Sequence, residues 1–487
     1  MADRVSTTEE TGAVASEPVR PGEYGDKVVA IEPGGIEFIA ASERHGKPLQ
    51  LFWTWTSPNL EFATVFVGVL AVAGFGLPFW QAVLALVIGN VLGSTAHGFL
   101  SARGPGYGVP QMVLGRAAFG YWGNALPAGL MSLTAGIGWF AVNSVSGAFA
   151  LAALTGMPTL LGLVIIVLVQ IGVAYFGHNL VQAFEKYAFV FLAVVFAVTT
   201  VWVLTKTNPG ASTAPVPGAF LLTAGAAFGY AAGWNPYASD YTRYLPSNSN
   251  KRAVGLSAGL GVFVSCVVLE IAGAAAVTSV HTFSLDNPTA AFTAQLPTAL
   301  ADLTLIAIAL GAVSANALNI YSGAMSFLTV GFTLPLALRR AVVALVFGVL
   351  GFFLAWSGLS DAGTKYENFL LVIAYWIGPW LGVFFADQII RRGKRVDELL
   401  YAKWYQNWAG AVAMLIGIVA SILLFSNQED FSGLVVKHLP GIGDITFLVG
   451  FLLAGGLYAL LRPWLGARRT TPPAEASPPT EAPAEAR

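Results

Sequence analysis

Charge is scarce in this chain. Lys, Arg, Asp and Glu make up 10 % of its 487 residues, against 56 % hydrophobic. So few charges cannot clothe a soluble domain of this length, and the composition fits a helical protein that crosses a membrane many times. Cysteine is almost absent. Cys266 is the only one and lies in an apolar run, which excludes an intrachain disulfide and a cysteine-based metal site. A net charge of −1 gives nucleic acid no support as a partner. The polar start of the chain has no apolar signal-peptide core. HExxH, P-loop, GxSxG and kinase patterns are missing, so nothing points to an ATPase, a hydrolase or any other enzyme. No organic cofactor and no metal are expected.

What the chain has in abundance is long apolar runs. Twelve are near the twenty or so residues that cross the hydrocarbon: 59–77, 79–98, 124–154, 160–176, 187–205, 220–237, 254–280, 302–330, 338–356, 367–389, 408–426 and 444–461. The reading is an all-α polytopic membrane protein, with a transmembrane domain over 46–465. Residues 1–45 form a largely disordered N-terminal tail and 466–487 a disordered C-terminal one, rich in Pro, Ala, Ser, Thr and Glu. The glycine-rich segment 101–118 is expected at the membrane interface.

One stretch breaks the apolar pattern from within. Residues 220–246 begin as a span but carry Gly225, Gly229, Gly233 and Pro236. Glycine costs about 1 kcal/mol and proline about 3 kcal/mol in a helix interior. Lipid tolerates the freed N–H and C=O groups only beside protein or a watery cavity, so a mid-depth break marks a binding site. A plainer reading is a glycine-rich helix packed tightly on its neighbours. Trp234 sits at the break, where a flat ring could stack on a flat solute. The first span is also interrupted, by Ser57–Pro58–Asn59, Thr64 and Gly68. Twelve spans could be two sixes or five plus five plus two; interruptions at matching places of two halves point to an inverted repeat, and span 6 opens the second half if each repeat has five spans.

Other polar groups fall inside spans. Trp139 and Asn143 are four apart and share one helical face, which sets an aromatic plane beside an amide that both donates and accepts. Asn316 and Asn319 lie in a run with Ser314 and Ser322 and could bind a cation or read a heterocycle. Each of these could instead be interhelical glue. Glu270 is a carboxyl inside the seventh span, where it marks a proton or ion path or else bonds to a neighbouring helix. Asp302 and Asp387 are expected as solvated span-end carboxylates, Glu185 and Lys186 as surface charges of an inside loop, and His97 as structural.

The run Gly233–Trp234–Asn235–Pro236–Tyr237–Ala238–Ser239–Asp240–Tyr241–Thr242–Arg243–Tyr244–Leu245–Pro246 resembles the signature of the purine–cytosine permeases, a branch of the nucleobase:cation symporter family. Pro110–Gly120, the Trp139/Asn143 pair, the asparagine run and Gly382–Asp387 support the likeness in order, over about residues 45–465. The resemblance implies a leucine-transporter-like fold of two inverted five-helix repeats plus two C-terminal helices. It implies uptake of nucleobases such as cytosine, adenine, guanine or hypoxanthine across the plasma membrane, coupled to a cation. By the same resemblance Trp139 and Trp234 sandwich the base, Asn143 and Asn319 read its edge, Asn316 and Thr64 lie close by, and Ser314 falls near a sodium-ligand hydroxyl. Val313 and Ala315 depart from the Na⁺-coupled pattern, which favours H⁺, with Glu270 as a candidate in its path. A pyrimidine vitamin precursor, a hydantoin, allantoin or an amino acid would be other solutes for the same fold. An uncoupled channel or a membrane scaffold is the more distant alternative.

Orientation follows from Lys and Arg. With the N-terminus inside, eighteen of them fall on the inner loops and flanks, and only Lys206, Lys365 and Lys437 on the outer ones. Both termini are therefore expected in the cytoplasm. A reporter fused after Arg487 should be active on the cytoplasmic face; activity on the outer face alone would contradict the twelve-span topology.

Overall fold

The computed structural model describes residues 35–466, except 177, 281, 332–335 and 429. The expectations for 1–34 and 467–487 lie outside the described residues. Helices occupy all twelve expected spans. The first runs Gln50–Thr56, then a 3₁₀ stretch Ser57–Asn59, then Phe62–Val69. The second is Phe79–Ser101, and the third joins Ala125–Leu133 to Phe140–Thr155 through a π-helical turn, Thr134–Trp139. Thr159–Phe176 and His178–Lys206 complete the first five. The sixth breaks after Ala219–Ala232 and resumes as Asn235–Tyr237 and Ala238–Thr242. Lys251–Thr278, Thr298–Thr329, Leu336–Gly358 and Ala362–Arg391 follow, then Trp408–Phe425 and Thr446–Leu465. Among the described residues eight helices are long and apolar enough to cross a membrane, and the first span adds a ninth as a pair bent by 62°. Spans 4 and 9 are shorter apolar helices.

Two groups of five, each opened by a broken helix, leave spans 11 and 12 to pack together and onto span 10. Lipid supplies no hydrophobic drive between helices, so close backbone approach has to hold them. Spans 1 and 7 show how. A Cβ on Gly68 would stand 1.7 Å from the Glu270 carbonyl oxygen, and one on Gly273 would stand 1.9 Å from that of Val65. Any side chain at either position would push the two helices apart.

Four expectations are corrected. Span 5 starts at His178, nine residues earlier than its apolar run, so Glu185 is inside the helix and fully buried rather than on a surface loop; Lys186 is exposed as expected. The segment 101–118 is no interfacial strip. All nine residues of its helix Gln111–Phe119 are buried. There the Arg116 guanidinium donates to the Leu400 (2.9 Å) and Thr329 (3.2 Å) carbonyls and lies 4.3 Å from the Tyr121 ring centre. Asp387 is buried too, accepting from Arg391 (2.7 Å) and the Tyr458 hydroxyl (2.6 Å). Finally, residues 35–45 are not loose tail. They strap one end of the bundle, with Ile39 N donating to Gly108 O (3.0 Å), His45 N to Tyr244 O (2.7 Å) and Arg243 to Gly35 O (3.0 Å). The opposite end holds a largely apolar cavity of about 440 Å³ among spans 1, 3, 9 and 10 and the short helix Pro288–Thr293.

Candidate functional site

The two breaks face each other. In the first, Leu60 leaves the helix and Glu61 turns extended, with φ −151° and ψ 174°. The Glu61 carboxylate then caps the resumed helix by accepting from Ala63 N at 2.6 Å. A helix N-terminus leaves N–H groups unpaired and carries partial positive charge, so an acidic cap meets both needs. In the second break, Gly233 allows close contact: a Cβ there would lie 3.1 Å from the Trp139 ring. Trp234 follows it, and its indole N–H donates to Asn59 Oδ1 at 2.8 Å. Asn59 also donates to Trp55 O (2.7 Å), and its own carbonyl accepts from Thr64 Oγ1 (2.6 Å). Thr64 in turn meets the Tyr230 hydroxyl at 2.5 Å. Asn59 thus ties one break to the other, and Thr64 is wholly engaged within that tie.

Trp139 closes the π-helical turn of span 3, a local widening that recurs at functional sites. Its ring meets Tyr230 (5.3 Å) and Phe369 (5.1 Å) edge-on. The Trp139 ring lies against Gly233 and Trp234 follows Gly233 in the chain, with its ring near those of Trp55 and Tyr237; no direct ring contact joins the two indoles among the described residues.

The asparagines of spans 3 and 8 form one network. Asn316 Oδ1 accepts from Asn143 Nδ2 and from Asn319 Nδ2, both at 3.0 Å. Asn316 Nδ2 donates to Phe140 O (2.9 Å) and Ser144 Oγ (3.3 Å). That uses all four places an amide offers, so Asn316 acts as a brace. Asn319 Oδ1 accepts from the Tyr237 hydroxyl at 2.7 Å, which links the brace to the second break. Asn143 Oδ1 has no protein partner among the described residues. Glu61 joins this network through Ser146, whose hydroxyl is 3.1 Å from Glu61 Oε2 and 3.0 Å from the Asn143 carbonyl.

The remaining expected residues separate into two places. Ser314 donates to Glu185 Oε2 at 2.6 Å, and its hydroxyl lies 3.4 Å from that of Ser57 at the first break. Glu270 is fully buried but turned elsewhere, accepting from Asn90 of span 2 at 2.5 Å. Its hydrogen bonds join it to neither break. His97 packs edge-on against Trp55, 4.2 Å between ring centres, as a structural residue would.

Sequence reasoning passed over Glu61 and misplaced Glu185. The pattern Glu61 followed by an apolar helix was a readable cap signal. His178, Gln182 and Glu185 fall at i, i+4 and i+7, one helical face, which marked an inward polar stripe. The charged half of the 233–246 signature also has another role than the solute. Asp240 accepts from Gln111 N (2.8 Å), Ser239 donates to Val109 O (2.7 Å), and Arg243 reaches the strap. These bonds anchor the resumed sixth span beneath the site.

The brace makes a prediction. Asn316→Leu strands two buried donors, Asn143 Nδ2 and Asn319 Nδ2, at about 1–3 kcal/mol for each group left unpaired. It should lower the unfolding midpoint of the detergent-solubilised protein more than Asn143→Leu does. The reverse order would show that Asn316 is not the central support.

The chain is similar to characterised transporters along nearly its whole length. The family model described as permease for cytosine/purines, uracil, thiamine, allantoin matches residues 38–450. The putative purine-cytosine permease YxlA of Bacillus subtilis (strain 168) is 29% identical, over 90% of this chain and 97% of its own. The purine-cytosine permease fcyB of Emericella nidulans is 29% identical over 92% of this chain and 94% of its own. Among solved structures, the nucleobase-cation-symport-1 family transporter Mhp1, closed with bromovinylhydantoin bound, superposes with a TM-score of 0.69. It is 19% identical and covers 87% of this chain and 94% of its own, a likeness of fold. With twelve spans, two facing breaks and a family match that leaves out little beyond the tails, this chain belongs to the cytosine/purine, uracil, thiamine and allantoin permease family.

Proposed function

We propose that this permease imports a nucleobase, cytosine or a purine, across the plasma membrane in symport with H⁺, with both termini in the cytoplasm. The observation that carries the reading is the junction itself. One indole, Trp139, lies against Gly233, the other, Trp234, follows it and is tied to Asn59 of the first break, and one helical turn from Trp139 stands the Asn143 amide, whose acceptor oxygen has no partner among the described residues. A flat ring with N–H donors on its edge matches that combination. The indoles supply stacking, which any flat ring satisfies, so discrimination falls to Asn143 and to the free N–H of Asn319. An amino-acid solute would need its carboxylate at a half-helix N-terminus, and the Glu61 carboxyl group already occupies the first of these. Curated relatives named for purine and cytosine transport favour a nucleobase over the allantoin and thiamine that the family description also includes. Binding and coupling need no organic cofactor. Val313 beside Ser314 withholds a second hydroxyl ligand, which favours H⁺ over Na⁺.

The test is uptake of labelled cytosine, adenine, guanine, hypoxanthine, allantoin and thiamine in cells that lack their own carriers for them. The expected result is accumulation of cytosine or a purine above the outside concentration, collapsed by an uncoupler and indifferent to Na⁺. Uptake of allantoin or thiamine alone would transfer the chain to another solute. Equilibration without accumulation would make it a channel.

A further inference from the structure

Span 5 brings a carboxyl to the first break. Along its inward stripe, Gln182 Oε1 accepts from Thr54 Oγ1 at 2.9 Å, just before the break. One turn on, Glu185 accepts from Ser314 of span 8 at 2.6 Å, and Ser314 lies 3.4 Å from Ser57, the first residue of the 3₁₀ stretch. Glu185 is fully buried, and its second oxygen, Oε1, has no partner among the described residues.

Resting on the symport reading above, we propose that Glu185, and not Glu270, is the site that binds the coupling proton. Among the described residues no Lys or Arg is bonded to the Glu185 carboxyl. On its own helix Lys186 faces outward, and His178 stacks on the Tyr244 ring at 3.7 Å. On span 8 Asp302 is exposed, and on span 7 Glu270 is bonded to Asn90. The first break and span 8 present only the Ser57 and Ser314 hydroxyls. An unpaired buried carboxylate is costly, whereas a proton on Oε1 makes it a neutral acid that still accepts from Ser314 through Oε2. Glu270 Oε1 is likewise without a partner among the described residues, so what sets Glu185 apart is its place: its bonds reach span 8 and the first break, whereas Glu270 is bonded to span 2. Two further buried carboxyls are differently placed. Glu61 has both oxygens occupied, by Ala63 N and Ser146, and Asp240 pins Gln111 N outside the junction.

The step is a single transfer. A hydronium ion on the outer side gives up one O–H bond as the carboxylate gains one at Oε1, leaving water; after the conformational change the Oε1–H bond breaks and the proton passes to an inner water, which becomes hydronium. The proton is linked to the solute by structure. Glu185 holds Ser314, Ser314 is two residues from the Asn316 brace, and the hydroxyl pair fastens the hinge of the first span to span 8. A charge on Glu185 therefore acts on the same helices that close around the base.

Reconstituted protein separates the arms. Glu185→Gln is expected to lower accumulation driven by an imposed pH gradient about tenfold or more relative to base-for-base exchange, which needs no proton return. Glu270→Gln should lower that ratio less. Accumulation by Glu185→Gln at the native ratio, or the larger loss in Glu270→Gln, would overturn the assignment. Should Glu185→Gln not fold, Ser314→Ala serves instead: it removes the hydroxyl that faces the carboxyl and should move the pH of half-maximal accumulation. An unmoved profile would also overturn the assignment. Native protein that neither exchanges nor accumulates any base would refute symport itself. Native protein that accumulates bases while Glu185→Gln does so equally would refute the role of Glu185 alone.

Discussion

The constraint behind this structure is that backbone polar groups inside lipid must find partners within the protein. Two helices break at mid-depth, and the bond from the Trp234 indole to Asn59 Oδ1 lets them break together. Asn59 belongs to one break and Trp234 to the other. Around that bond, Glu61 takes the Ala63 N–H and Thr64 takes the Asn59 carbonyl, two backbone groups of the first interruption, while Tyr230 and Tyr237 bond the side chains of Thr64 and Asn319. Among the described residues, the side-chain groups left without a partner around the junction include the Asn143 acceptor, both polar atoms of Asn235 and Glu185 Oε1. A site here is what remains after the structural demands of the breaks are met.

The polar groups divide by role in a way that residue type does not reveal. Asn143, Asn316 and Asn319 look alike as buried amides, yet Asn316 is saturated and holds the other two in place. Asp240 and Arg243 stand in the same run as Trp234 but serve the strap side of the bundle. There residues 35–45 cross the end of the resumed sixth span, while the cavity of about 440 Å³ opens from the other end and reaches Ser146 and the backbone next to Trp139. Phe369 and Tyr366, which line it, separate it from the Trp139 ring, and the Tyr366 hydroxyl donates to Ala63 O of the resumed first span at 2.8 Å. The two ends are thus closed by different means, aromatic side chains on one and a chain segment on the other, as alternating access around a fixed site requires.

Much of this was legible from residues alone. Apolar runs located all twelve spans, because crossing lipid leaves little freedom in length or composition. The helix breakers Gly233 and Pro236 coincide with the sixth break, after Ala232, because their cost to a helix interior is met where the helix stops. The failures share one cause. Hydropathy assigns charged residues to loops, so Glu185 was placed on a surface, Asp387 was read as solvated, Glu61 was overlooked and the buried Arg116 helix was read as interfacial. In each case a partner far away in sequence offsets the burial: Ser314 for Glu185, Tyr458 for Asp387, Ser146 for Glu61 and the Leu400 carbonyl for Arg116. Such pairings depend on tertiary structure, and only the helical phase of His178, Gln182 and Glu185 hinted at one of them.

The central claim is that the solute is a flat ring held at the junction by Trp139 and Trp234. Calorimetric titration of the purified protein with cytosine and with adenine, native and with Trp139→Ala or Trp234→Ala, tests it without reference to coupling. Stacking of a base on an aromatic ring contributes about 1–3 kcal/mol. Each variant that remains folded should therefore bind the preferred base about tenfold to a hundredfold more weakly, at about 1.4 kcal/mol per tenfold. Folded variants that both retain the native Kd would contradict the account and place the site elsewhere.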